Sequence, residues 1–189
     1  MTSFRALGEL LLYPTENTVD GVPEIEETLA REGLLEAPEL LGIGPLLREL
    51  ASLDLYELQE RYVGLFDQSR SLSLDLFEHE HGDSRSRGPA MVELESRYRA
   101  EGLELSAPVL PDFLPVFLEY LSELDVSRAR AELAPHASTL KRLARRLEDR
   151  GSAYAAVLRA LAGLAAPGPE SVAAASAPAR PGGGKESPC

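Results

Sequence analysis

The sequence predicts an all-α protein, with one compact domain of about eight or nine helices followed by a disordered tail. Three observations predict it. Apolar residues recur at helical spacing along most of the chain, proline and glycine mark the ends of these segments, and strand-like alternation occurs only once. At 189 residues, of which 44% are hydrophobic, the chain is long enough to bury one sizeable core.

Four helices are predicted in the first half of the chain. The first ends at Pro14, and the second has Pro23 in its first turn and Gly33 after its last. The third repeats leucine at helical spacing. The fourth begins where Asp54 and Glu57 have the spacing of a capping box. These helices cover residues 3–12, 22–33, 41–53 and 54–66.

Four more helices are predicted in the second half. Pro89 is expected as the first residue of one of them, and Gly102 ends it. Pro115 is tolerable in the next helix only if Asp112 is its N-cap, because the proline then lies in the first turn. Gly151 separates the last two, which carry leucine stripes. These helices cover residues 87–102, 111–124, 134–151 and 152–164.

The segment LSLDLF at residues 72–77 is the one place where the sequence alternates like a strand. No second strand is evident to pair with it. Since a lone strand is improbable in a helical chain, we predict a helix here, following a kink at residues 69–71.

The domain boundary is predicted from composition, with the helical domain at residues 1–164 and the tail at 165–189. The tail is nearly all Ala, Pro, Gly and Ser, and cannot bury enough apolar surface to offset its ordering entropy. The only cysteine, Cys189, has no partner, so we expect no disulfide and a cytoplasmic location. The N-terminus predicts no secretory signal, and no apolar run approaches the ~20 residues of a membrane span.

The charge of the chain favours some partners over others. Its net charge of −12 repels nucleic acids and anionic lipids. It favours a basic partner, such as an arginine-containing peptide.

The segment LFEHEHGDSRSRG at residues 76–88 concentrates the residue types that carry chemistry. His79 and His81 are two residues apart, so on a helix they point about 200° away from each other. Glu78 and His81 can share a face but need a third ligand, and His136 belongs to another helix, where a solvated or capping role is commoner. We therefore expect no metal, no cofactor and no catalytic residue, although a metal-dependent hydrolase and a plain solvated loop stay open as alternatives.

Three blocks of the sequence resemble one known family. YVGLFD (62–67), RSLSLDLFEHEHGDSRSRGPAMVEL (70–94) and LPDFLPVFLEYLSEL (110–124) are similar to the delta-subunit family of respiratory nitrate reductase. These proteins are molybdenum cofactor assembly chaperones within the redox-enzyme maturation group. The resemblance spans residues 1–164, with two departures: Pro89 replaces a frequent Gln, and Phe113 replaces Tyr or His.

The resemblance implies an all-helical, cytoplasmic chaperone that is not an enzyme. It implies binding to the N-terminal segment of the apo catalytic subunit of nitrate reductase. The chaperone would support insertion of the molybdenum cofactor and delay docking onto the membrane anchor. A generic helical adaptor with another client is the remaining alternative. We expect a monomer, with no direct membrane insertion and no nucleic-acid partner.

The resemblance also suggests which residues meet the client, whose segment is expected to combine basic and apolar residues. An apolar groove would take its apolar face, and acidic groups at the rim would select its basic residues. The predicted groove residues are Phe66, Leu76, Phe77, Phe113, Leu114 and Phe117, and the rim residues are Asp67, Glu78, Glu80 and Asp112. The predicted framework residues are His79, His81, Arg85 and Arg87, with the arginines pairing internally with the carboxylates. Each aromatic residue has an alternative role in the core, and Asp112 has one as an N-cap.

Overall fold

Eleven α-helices form the part of the chain that the computed structural model describes, residues 1–105 and 109–166. Their bounds are α1 Ser3–Glu9, α2 Glu16–Asp20, α3 Val22–Glu32, α4 Ala37–Ser52, α5 Leu55–Tyr62, α6 Leu76–Glu80, α7 Arg87–Ala100, α8 Leu114–Ser122, α9 Val126–Leu133, α10 Ala137–Glu148 and α11 Ala155–Leu164. A π-helical turn, Val63–Asp67, follows α5, and 3-10 turns lie at Arg70–Leu72 and Ala134–His136. The all-α prediction is confirmed.

Two of these helices, α2 and α9, were not predicted. The first has only five residues, and its start is fixed by a reciprocal cap in which Thr15 and Thr18 bond each other's backbone. The second follows the N-cap Asp125, which accepts a hydrogen bond from the backbone N–H of Arg128. α2 has one apolar residue, and α9 has only two large ones, Val126 and Leu133, so capping and tertiary packing, rather than periodicity, define them.

The core is one continuous cluster between the helices. α10 packs along α11, α1 packs on α8 and α3, and α4 joins α3 to α11. The leucine stripes predicted for the last two helices face each other here. Residues that are at most 1% exposed include Leu140, Leu143 and Leu147 on α10, and Val157, Leu158 and Leu161 on α11.

Two predicted helix starts need correction. Pro115 does lie in the first turn of α8, but the N-cap is Phe113 and not Asp112. The side chain of Asp112 is instead directed at another helix, as described below. α7 begins at Arg87, so Pro89 is its third residue rather than its first.

The prediction of a helix over residues 72–77 is wrong for most of that segment. After the 3-10 turn that ends at Leu72, the backbone is not helical, bends at Leu74, and forms an isolated antiparallel bridge between Asp75 and Phe113. Leucines 72, 74 and 76 are at most 4% exposed, whereas Ser73 is partly exposed. The alternation therefore reflects a non-helical segment with its leucines turned to the core, and its pairing is a single bridge rather than a strand.

The predicted tail at residues 165–189 lies almost entirely outside the described residues. Ala165 is described, and it is 3% exposed and packs with the core. The folded part thus includes at least this first residue of the predicted tail. Among the described helices, none has the length and hydrophobicity that a membrane span requires.

Candidate functional site

The segments LDLF at residues 74–77 and PDFLP at residues 111–115 meet through backbone hydrogen bonds. The N–H of Leu76 donates to the carbonyl of Asp112, and the N–H of Leu114 donates to the carbonyl of Leu74, both at 2.9 Å. These two bonds flank the Asp75–Phe113 bridge. The start of α6 is thereby fixed against the start of α8, and the polar cluster at residues 78–87 is held beside both.

Asp112 lies at the centre of this junction and is fully buried. Its Oδ2 atom accepts a hydrogen bond of 3.0 Å from the N–H of Phe77 and lies 3.7 Å from Nη2 of Arg87. Its Oδ1 atom has no hydrogen-bond partner within the described residues. Burial raises the pKa of Asp112, and the carboxylate of Asp75 acts in the same direction, against the Phe77 N–H and Arg87.

Glu78 joins two arginines from different parts of the chain. Its Oε1 accepts a hydrogen bond of 2.6 Å from Nε of Arg70, and its Oε2 accepts one of 2.6 Å from Nη1 of Arg87. Arg70 also pairs with Asp83 at 3.2 Å. The Asp112–Arg87–Glu78–Arg70 chain is a polar network that links the start of α8 to α7, α6 and the 3-10 turn before it.

The three histidines occupy separate positions around α6. Nε2 of His79 lies 2.8 Å from the carbonyl of Ser73, and Nδ1 of His81 lies 3.1 Å from the hydroxyl of Ser86. Nδ1 of His136 lies 2.8 Å from Glu80. In residues 1–105 and 109–166, no group of three or more His, Cys, Asp or Glu side chains is arranged to hold a metal ion.

His136 is not the solvated or capping residue that the sequence suggested. It is 8% exposed and caps no helix with its side chain. Its ring centroid lies 6.2 Å from that of Phe77 and 5.2 Å from that of Phe117. The Glu80–His136 contact thus joins α6 to the start of α10, next to the aromatic layer formed by Phe77, Phe117 and His136.

An open cleft of about 330 Å³ is lined in part by the two residues of the Asp75–Phe113 bridge. It is bounded by the π-helical turn after α5, the 3-10 turn and the extended segment that follows. The lining residues are Tyr62, Phe66, Asp67, Ser69, Arg70, Ser73, Leu74, Asp75 and Phe113. We call it the acidic cleft, because Asp67 and Asp75 make no ion pair with any described residue, whereas Arg70 is engaged with Glu78 and Asp83.

The aromatic wall of the acidic cleft, formed by Tyr62 and Phe66, is closely packed. Phe66 is 7% exposed, and its ring centroid lies 4.8 Å from that of Tyr62 and 5.2 Å from that of Tyr154. The hydroxyl of Tyr62 donates to the carbonyl of Leu11 at 2.9 Å. Burial raises the pKa of Tyr62 well above its ordinary value, followed by the effects of Tyr154 and of the Asp67 and Asp75 carboxylates. Both carboxylates therefore lie near this aromatic wall.

The structure separates the predicted client-binding residues into three groups. Phe66, Asp67 and Phe113 line the acidic cleft. Four predicted groove residues lie in the core at 0–8% exposure, so they form no open groove here: Leu76, Phe77, Leu114 and Phe117. The predicted rim acids Glu78, Glu80 and Asp112 are engaged by Arg87, His136 and the α6 backbone, which corrects their assignment to a free acidic rim.

The predicted framework residues differ in what they hold. Arg87 pairs internally with Glu78 and Asp112, as expected. Arg85 is exposed and forms no ion pair within the described residues. His79 and His81 each contact a neighbouring serine, as described above.

Several residues of the site were not identified from the sequence. Tyr62, Arg70 and Asp75 line the acidic cleft, and His136 supports α6 from a distant part of the chain. The alternation of LSLDLF was the available signal for Asp75, because extended backbone places Ser73 and Asp75 on the face opposite the leucines. No local pattern identifies the partnership of Glu80 with a histidine 56 residues away.

Comparison of the sequence with known proteins assigns the chain to a family. The profile described as nitrate reductase delta subunit matches residues 24–160. The chain is 40% identical over 165 residues to the nitrate reductase molybdenum cofactor assembly chaperone NarJ of Escherichia coli K12, covering 87% of the chain and 70% of that relative. It is 36% identical to the probable chaperone NarW of the same organism, covering 87% and 68%.

A more distant relative is matched over most of its own length. The probable nitrate reductase molybdenum cofactor assembly chaperone NarJ of Bacillus subtilis is 30% identical over 159 residues, which cover 84% of the chain and 85% of the relative. The profile match includes all of α4 to α10 and every residue of the acidic cleft. The chain therefore belongs to the nitrate reductase delta subunit family, the family of NarJ-type molybdenum cofactor assembly chaperones.

Proposed function

We propose that the chain is an assembly chaperone that binds the apo catalytic subunit of a respiratory nitrate reductase through that subunit's N-terminal segment. It supports insertion of the molybdenum cofactor into its client and precedes docking of the client onto the membrane anchor. It acts as a monomer in the cytoplasm, without catalysis of its own. Family membership supports the general role, and the acidic cleft is the observation that carries the mode of binding.

The acidic cleft suits a segment that combines basic and apolar residues. Asp67 and Asp75 supply two negative charges without an ion-pair partner among the described residues. The partly exposed Phe113 supplies aromatic contact area, and the buried Phe66 supports the wall behind it. A volume of about 330 Å³ accommodates a few side chains rather than a whole helix. We therefore infer that the cleft receives neighbouring basic and apolar side chains of the client.

The net charge of the chain supports the same assignment. At −12, its field accelerates the approach of a basic segment and disfavours anionic partners. Long-range attraction of this kind weakens with salt, whereas the apolar contacts of Phe113 do not.

The remaining predicted site residues act indirectly in this proposal. Four of them form an apolar layer that is already buried in the core: Leu76, Phe77, Leu114 and Phe117. Arg87, with Glu78 and Asp112, fixes α6 to α7 and α8, and so keeps the Asp75–Phe113 bridge in place. Direct contact of the client with the apolar layer would require α6 to move away from α8.

Co-purification from nitrate-respiring cells tests the proposed client. A tagged chain is expected to capture the catalytic subunit of nitrate reductase, identified by mass spectrometry. A catalytic subunit that lacks its N-terminal segment should be captured much less. Capture of an unrelated protein with no catalytic subunit present would contradict the proposal, and equal capture of the truncated subunit would contradict the binding mode.

A further inference from the structure

The C-terminal helix pair carries a concentration of positive charge that the proposed function does not use. Between Lys141 and Arg159 the chain has six basic residues and only two acidic ones, in a protein whose net charge is −12. Four of the basic residues, Lys141, Arg142, Arg145 and Arg159, line one groove between α10 and α11. All four side chains are exposed.

This basic groove has a volume of about 650 Å³. Its floor consists of Ala144, Ala162 and Gly163, which present only methyl groups and backbone. Ala144 and Ala162 are at most 4% exposed. The groove thus has an apolar floor and four cationic lining residues against one acidic one, Glu148, so its charge is opposite to that of the acidic cleft.

The cations of the groove are only partly neutralised within the chain. Arg159 pairs with Glu148 at 2.6 Å, and Arg142 donates to the hydroxyl of Thr139 at 3.0 Å. Lys141 and Arg145 form no ion pair within residues 1–105 and 109–166. They lie four residues apart on α10, so they repel each other along one helix face. The C-terminus of α10 favours Arg145 as a cation, but it gives Lys141, one turn earlier, no such support. A bound anion would relieve the repulsion between the two.

We propose that the basic groove of α10 and α11 is a second docking site, for an acidic amphipathic segment of a protein partner. Carboxylates of that segment pair with Lys141, Arg142 and Arg145, and its apolar side chains lie against Ala144 and Ala162. Charge complementarity favours this occupant over a basic segment. An anionic membrane is less suited, because its flat surface cannot enter the groove and the net charge of −12 repels it.

A designed peptide tests the groove with the full-length chain. The probe has about 16 residues, or roughly four helical turns, with leucine and alanine on one face and glutamate on the other. Its affinity is measured by fluorescence anisotropy at low and at physiological salt. The parent should bind it, and should bind a peptide of the same charge without the apolar face more weakly.

The decisive comparison uses two double variants with the same change in charge. Lys141→Glu with Arg145→Glu alters the groove without removing an ion pair, and should weaken binding roughly tenfold or more. Arg31→Glu with Arg99→Glu alters two exposed arginines on α3 and α7 and should change affinity much less. Circular dichroism and melting temperature establish that both variants are folded.

Three outcomes would overturn the proposal. If both double variants bind the peptide equally weakly, long-range attraction alone accounts for the binding. Tighter binding to phosphatidylglycerol vesicles than to the peptide, lost in the groove variant, would assign the groove to a membrane. Self-association of the parent in sedimentation, abolished in the groove variant, would assign it to a second copy of the chain.

Discussion

The carboxylate of Asp112 accepts a hydrogen bond from the backbone N–H of Phe77 at 3.0 Å, so a residue of the loop before α8 caps the start of α6. A carboxylate suits this position because the N-terminus of a helix has unpaired N–H groups and a partial positive charge. Asp112 is therefore a cap, as its residue type suggested, but of a helix that lies 35 residues earlier in the sequence.

Replacing Asp112 should separate its role as an acceptor from its charge. Asp112→Ala removes the cap and leaves Arg87 facing an empty position, so we expect the unfolding free energy to fall by about 2–4 kcal/mol. Asp112→Asn keeps an acceptor for the Phe77 N–H and should cost about half as much. Urea denaturation of both variants measures the difference. A loss below about 1 kcal/mol for Asp112→Ala would contradict the assigned cap.

The raised pKa of Asp112 predicts a specific pH dependence. Because burial disfavours its charged form, the native state binds this proton more readily than the unfolded chain does. Protonation of Asp112 therefore stabilises the native state. This stabilisation is complete below the ordinary pKa of 3.8 and is lost as the pH rises through the raised native pKa. Relative to Asp112→Asn, the parent should gain unfolding free energy on acidification through that window, measured by denaturation at a series of pH values. A relative loss would mean that Arg87 holds Asp112 ionised.

Arg87 and Arg70 both bind Glu78, but they should contribute differently to stability. The side chain of Arg87 is 24% exposed and also faces the buried Asp112, whereas that of Arg70 is 72% exposed. We expect Arg87→Gln to lower the unfolding free energy by about 2 kcal/mol, because it leaves the buried Asp112 without its cation and Glu78 with Arg70 alone. Arg70→Gln should have little effect, because water and salt screen an exposed pair. Chemical denaturation of the two variants tests this, and equal losses would argue against the network.

Phe77 and Phe113 distinguish the core from the binding surface. Phe77 is 8% exposed and packs in the aromatic layer with His136, so Phe77→Ala should cost about 3–5 kcal/mol of stability. The protein that remains folded should bind the client peptide normally. Phe113 is partly exposed in the acidic cleft, so Phe113→Ala should cost less stability and weaken peptide binding roughly tenfold. Melting temperature and peptide affinity are measured together, and the reverse pattern would exchange the two roles.

The sequence predicted the helices that have strong periodicity and missed features that depend on partners far along the chain. The leucine stripes of α10 and α11 identify both helices, because each repeats a buried position about every turn. The alternation at residues 72–77 is not assignable to paired backbone from the sequence. It pairs through a single bridge at Phe113, so the sequence around Phe113 shows no strand-like pattern of its own.

The candidate site was predictable in composition but not in arrangement. The segment at 76–88 was identified by its density of charged and aromatic residues. Which of them are exposed depends on tertiary contacts: Asp112 is buried by α6, and Glu80 is engaged by His136. Asp67 and Asp75 remain available in the acidic cleft because no cation of another element pairs with them in the described part of the chain. Sequence periodicity carries no information on such pairings.

The affinity of the client's N-terminal peptide for cleft variants tests the central claim most directly. Isothermal titration calorimetry compares the parent with Asp67→Asn/Asp75→Asn, and with a control that removes two exposed charges elsewhere, Asp20→Asn/Glu26→Gln. If the acidic cleft receives the basic side chains of the client, the cleft variant should bind roughly tenfold more weakly than the control, with a smaller dependence on salt. Parent-like affinity in the cleft variant, or equal weakening in both variants, would contradict the assignment of the acidic cleft as the client-binding site.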